Sequence, residues 1–176
     1  MLIYNSCMPL ERTVKYLIIL TSILLFSCSN SATDTITLIP DGYTGPVKIS
    51  LCDGKGKEEK LENGKRIYEI DTNGLLITKF KAEFGWQFNK YYYVKDNNRQ
   101  EIRFLNFYDK DVKFDKDSVY VFGEQHSGTG SKTDSTGTYQ TCPIITFYVG
   151  KYKNVEKKMH DLTMFSFKTT ELINEK

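Results

Sequence analysis

The chain has 176 residues, 40% of them hydrophobic, with 24 basic and 22 acidic side chains and a formal net charge of +2. Charges this balanced and interspersed give no electrostatic footprint for nucleic acid or for an anionic membrane surface. The length suits one domain that can bury its own core, and nothing in the four cysteines has the paired Cys-x-x-Cys spacing of a zinc site.

Arg12 and Lys15 precede the apolar run Tyr16 to Phe26, and Ser27-Cys28 closes it. The run is shorter than the roughly 20 apolar residues a bilayer span needs, and a basic region, a short apolar core and a small residue before cysteine make a secretory signal. The layout resembles the bacterial lipoprotein signal, which implies cleavage before Cys28, acylation of its thiol, and a membrane held through the N-terminal lipid. Met8 begins a better signal than Met1, since Met8-Pro9-Leu10-Glu11-Arg12 leads directly into the basic region. Residues 1–27 therefore read as signal peptide, 28–35 as a lipidated tether and 36–176 as a single β-sandwich domain. Two cysteines remain in that domain, Cys52 and Cys142. In an exported chain they fit either one disulfide or two buried thiols.

Residues 29–35, Ser-Asn-Ser-Ala-Thr-Asp-Thr, are small and polar; fully extended they reach roughly 20 to 25 Å, so the domain sits close to its anchor. Ile36 to Ile39 reads as a strand stopped by Pro40-Asp41-Gly42, and Val47 to Leu51 alternates as a second. Arg66 to Ile70 and Leu75 to Thr78 flank Asn73-Gly74, which predicts a tight hairpin. Tyr91 to Val94 and Glu101 to Phe107 predict another, turned at Asp96 to Arg99. Val119 to Phe122 and Ile144 to Val149 are further strands, separated by Gly123 to Thr141, whose Gly, Ser and Thr content predicts a mobile loop. Val155, Met159 and Leu162 recur at helical spacing after Asn154 as cap, while Phe165 and Phe167 alternate as in a last strand. Many short strands and one short C-terminal helix make the fold mainly β, an antiparallel β-sandwich of transthyretin or immunoglobulin type.

No motif specifies a reaction. Glu124 and His126 could form an acid–base pair or offer a metal ligand, but one histidine fixes no metal and a solvated loop explains them as well. Gly128 to Thr133 lacks the Gly spacing of a phosphate loop, and no Gly-x-Ser-x-Gly elbow accompanies His126 or His160. Asp109, Asp111, Asp115 and Asp117 alternate with lysines but depart from a calcium loop. The expectation is no catalytic residue, no metal and no cofactor. Aromatic residues are the one excess that suggests binding. Successive side chains of a strand point to opposite faces, so Tyr91, Tyr92 and Tyr93 cannot all enter a core, and with Trp86 they are candidate contacts for a glycan or protein partner.

Ile39-Pro40-Asp41-Gly42-Tyr43-Thr44-Gly45-Pro46-Val47, then Asn73-Gly74-Leu75-Leu76-Ile77-Thr78, Val121-Phe122-Gly123 and Phe147-Tyr148-Val149-Gly150 are similar to the motifs of a family of uncharacterised bacterial lipoproteins of Bacteroidetes type. The resemblance implies a domain of unknown function, so it carries no catalytic residue across. A lipid-anchored envelope protein, outer-membrane in a two-membrane cell, acting as a binding or interaction module is the reading that results. An immunity-type or structural envelope protein is the alternative, and an envelope hydrolase ranks third.

Overall fold

The computed structural model describes residues 31–106, 115–135, 137–153 and 155–172. The expected signal peptide, Cys28, the expected cap at Asn154, Phe107, and the Asp109 and Asp111 of the calcium reading lie outside them. Twelve strands and one helix are described in chain order: β1 Thr35–Pro40, β2 Gly45–Leu51, β3 Leu61–Glu62, β4 Lys65–Glu69, β5 Leu75–Thr78, β6 Asn89–Lys95, β7 Asn98–Ile102, β8 Phe104–Leu105, β9 Val119–Ser127, β10 Gly130–Asp134, β11 Gly137–Thr141, β12 Ile144–Lys151 and α1 Val155–Leu172.

Two five-stranded sheets form the sandwich, in the orders β3-β4-β1-β6-β7 and β5-β2-β12-β9-β8. Alternation along each strand selects the inward set. Ile39 of β1, Val47 and Ile49 of β2, Tyr68 of β4, Tyr91 of β6, Val121 of β9 and Phe147 and Val149 of β12 make one buried core between the sheets. The opposite faces of β9 and β12 carry Phe122, Tyr120 and Tyr148, which form a second cluster with Met159 of α1. The helix thus lies on the outer face of the second sheet, where Leu162 is fully buried. Lys48 belongs to that outer face of β2 and is also buried; desolvation lowers its pKa to about 8.

The sandwich is mainly β with one helix, and its sheets are mixed. The pairs β1·β4, β1·β6, β2·β5 and β8·β9 are parallel, while β2·β12, β9·β12, β6·β7 and β3·β4 are antiparallel. The reason is that consecutive strands change sheets. The hairpin expected at Asn73-Gly74 is absent: β4 lies in the first sheet and β5 in the second, paired in parallel with β2. The turn between them is a crossing. Asp71 Oδ1 accepts from the backbone N–H of Asn73 and of Leu75, each at 2.8 Å. The β6–β7 hairpin is present, with Asp96 and Asn97 at φ 48° and 65°, the left-handed pair of a two-residue turn.

Two further expectations are corrected. Most of the expected loop at residues 123–141 is strand among the described residues, since β9 continues to Ser127 and β10 and β11 pair as a separate hairpin. Backbone pairing of β10 with β11 gives this polar stretch its strand geometry without an apolar core. The last strand expected at Phe165 and Phe167 is helix, because α1 runs on to Leu172.

Candidate functional site at the mouth of the sandwich

The pairing of β9 with β12 shifts register between Thr146 and Tyr148, so Phe147 faces both Gly123 and Glu124. Gly123 takes φ +68°, and a Cβ there would meet Met159 Sδ at 2.5 Å. This bulge resets the alternation of β9. Phe122 faces the helix layer, but Glu124 and His126 now point between the sheets. Glu124 is the hub of a hydrogen-bonded cluster there. Its Oε1 accepts from Asn89 Nδ2 at 3.0 Å and from His126 Nε2 at 2.7 Å, and its Oε2 accepts from the Tyr91 hydroxyl. Thr35 Oγ1 in turn donates to Asn89 Oδ1 at 2.8 Å.

The cluster sets the protonation of its members. Burial, the Glu124 charge and its hydrogen bond push the Tyr91 hydroxyl well above the ordinary tyrosine range. The hydrogen bond to Glu124 raises His126, against an opposing effect of burial. His126 then lines a small cleft with Arg66, Glu83, Phe84, Gln87 and Ser127, of about 20 Å³, room for one water molecule. Arg66 is held on three sides. It donates to Lys81 O at 2.6 Å, pairs with Glu83, and lies 4.7 Å over the Phe80 ring. This mouth can exchange a proton through His126 or receive a polar group on its surface, but a ligand would rest on it rather than enter.

The other sequence candidates are dispersed. Tyr91 is 3% exposed and packs against Phe147 and Phe104, so its place as a ligand contact is corrected: Tyr91 and Tyr93 of β6 face the core. Tyr93 is half-buried on the same side and donates to Tyr43 O at 2.6 Å. Tyr92 faces the other way, half-buried, and Trp86 is 89% exposed. The four residues do not make one surface. Cys52 and Cys142 are bonded, with Cα atoms 5.0 Å apart. Asp115 accepts from Asp117 N–H and Ser118 Oγ in a local turn, and His160 sits exposed beside Asp161 on α1 at 3.9 Å. Among the described residues no three His, Cys, Asp or Glu side chains gather as a metal site, and no helix is long and apolar enough to cross a membrane. Sequence reasoning missed Asn89 and the bulge; Gly123 in an otherwise apolar strand was the available signal.

One protein-family model, described as a family of unknown function (DUF6843), matches residues 31–159. Among curated proteins none matches. A crystal structure at 2.75 Å of a "Putative Lipoprotein from Bacillus anthracis" is similar over 76% of this chain and 94% of that one, at 23% identity and a TM-score of 0.46.

Proposed function

We propose that this chain, which belongs to the family of unknown function DUF6843, is an exported lipoprotein, acylated at Cys28 and held at a membrane of the cell envelope, where its sandwich serves as a non-catalytic binding module. The bond between Cys52 and Cys142 carries the export half of the reading, because such bonds persist in oxidising compartments and are rare in a reducing cytosol. The Ser27-Cys28 signal end agrees with it. Binding without catalysis is supported at the mouth, where Glu124 already accepts three hydrogen bonds and the cleft is far smaller than the roughly 300 to 1,000 Å³ that encloses a small-molecule substrate. The ligand is then a glycan or protein laid across Arg66, Gln87 and His126.

The lipoprotein half is tested by mass spectrometry of membrane-extracted protein, which should show an acylated N-terminal Cys28, while Cys28→Ala should leave the precursor uncleaved. A mature chain starting at another residue rejects it. The binding half is tested by titrating soluble N-acetylglucosamine oligosaccharides while following the His126 imidazole resonances. Saturable shifts, lost in Arg66→Gln, are expected. Turnover of the oligosaccharide would replace the binding module with a hydrolase.

A further inference from the structure

Phe84, Trp86 and Phe88 are 76%, 89% and 79% exposed. Aromatic rings are the side chains a fold most gains by burying, and three left exposed within five residues are a concentration of apolar surface of the kind that marks an interaction site. The run that bears them is held in place by the first described residues. Ala32 N–H donates to Trp86 O at 3.0 Å and Thr35 N–H to Phe88 O at 3.0 Å. Thr33 N–H donates to Glu83 Oε2 at 2.7 Å, and Phe88 N–H to Asp34 Oδ1 at 3.0 Å. Ser31 itself bridges to Trp86.

Cys28 precedes Ser31 by three residues, and three residues span at most about 10 Å of extended chain. If Cys28 carries lipid, its attachment point therefore lies within about 15 Å of the Trp86 backbone, the tether plus one strand spacing across the Ser31 bridge. Rings that close to the anchor are within reach of the membrane surface. Their chemistry suits that place, since tryptophan concentrates at the level of the lipid headgroups and phenylalanine joins it on the apolar faces that lie in the interface. The nearby carboxylates are already paired, Asp34 with Lys65 and Glu83 with Arg66, so neither repels an anionic headgroup as a free charge. Lys90, exposed two residues beyond Phe88, adds a cation.

We infer that Phe84, Trp86 and Phe88 seat in the interfacial layer of the same membrane that holds the Cys28 lipid, so that the domain is docked with a fixed face toward the bilayer. The inference rests on the lipoprotein reading and deepens it. Phe84 also lines the cleft beside His126, so docking places the mouth at the membrane surface and confines its partners to those within reach there.

The test uses the full chain purified from membranes and reconstituted in phosphatidylethanolamine/phosphatidylglycerol vesicles. Trp86 is the only tryptophan, so its emission reports one position. Vesicles containing lipids brominated on the acyl chain should quench it, and aqueous iodide should quench it several-fold less than it quenches the denatured chain. The Phe84→Ser/Phe88→Ser double variant keeps the reporter and should regain iodide access with an unchanged denaturation midpoint. Free iodide access with no bromolipid quenching, in protein whose acylated Cys28 is confirmed by mass, overturns the docking and leaves the lipoprotein reading standing. Iodide protection without bromolipid quenching would mean that a second copy or another protein covers the rings, and overturns it too. An unmodified Cys28, read from mass alone, removes the premise and the docking with it.

Discussion

Tyr43 ties Gly74 of the crossing to the start of β2. Its hydroxyl donates to Pro46 O at 2.5 Å, and a Cβ built on Gly74 would meet that hydroxyl at 2.0 Å and Pro46 O at 2.5 Å. Burial raises the Tyr43 pKa to about 12, as expected of a hydroxyl inside the crossing. Gly74 also takes φ +79°, so Gly74→Ala adds backbone strain to a contact that main chain cannot relieve. The expected loss is about 2 to 4 kcal/mol by chemical denaturation, and Tyr43→Phe, which removes one hydrogen bond, should cost about 1 kcal/mol. His126 supplies a pH-dependent counterpart. Its folded pKa is raised by Glu124, so the protonated imidazole stabilises the native state. That contribution is fully present below the unfolded histidine pKa of about 6.5 and is lost as pH rises through the higher folded value. Thermal midpoints followed from pH 5 to about 9 should fall across that window in the parent relative to His126→Ala, and Glu124→Gln should remove most of the difference. Parallel curves for parent and His126→Ala would show that the pair contributes nothing.

Elements were legible in the sequence wherever alternation and turn chemistry coincide, and their partners were not. The β6–β7 hairpin could be read because Asp96 and Asn97 supply the positive φ its turn needs. Asn73-Gly74 offered the same local signal, yet the chain crosses between sheets there, since what decides is whether Leu76 and Tyr68 reach a common core from opposite layers. Residues 130–141 were unreadable because a hairpin held by backbone hydrogen bonds leaves no hydrophobic trace. The mouth was half legible. Glu124 and His126 were visible as a pair, but which face they take depends on the bulge opposite Phe147, a tertiary feature. The same bulge couples β9 to α1. Gly123 leaves room for Met159, and Leu162 beside it is buried at 1% exposure. Leu162→Ala should therefore cost about 2 to 4 kcal/mol. Helical circular dichroism should be lost in the same transition as the strand signal if the helix layer and the sandwich unfold together; an earlier helical transition would show that α1 docks separately.

At the scale of the whole molecule, the bond between Cys52 and Cys142 encloses everything from β3 to β11, a sequence separation of 90. It sits where β2 and β12 already pair, beyond Ser50 opposite Ile144, with Leu51 N–H donating to Pro143 O at 2.9 Å. The folded state needs no rearrangement to accommodate it, so its main effect falls on the unfolded chain. Closing a loop of this length removes entropy worth about 4 to 5 kcal/mol at 25 °C, against a total stability of about 5 to 15 kcal/mol for a typical domain. A difference that large is a sizeable share of the total. The reduced chain is left with little margin, and the oxidised chain is secure. Reduction under native conditions, or the Cys52→Ala/Cys142→Ala pair, should lower the denaturation free energy by about 3 to 5 kcal/mol. Far-ultraviolet circular dichroism of the folded fraction should stay unchanged, because the sheets keep their pairing. A loss below about 1 kcal/mol would mean that residual structure already holds β2 near β12 in the unfolded chain. The bond would then be a consequence of the fold rather than a condition for it, and its weight as a sign of export would fall accordingly.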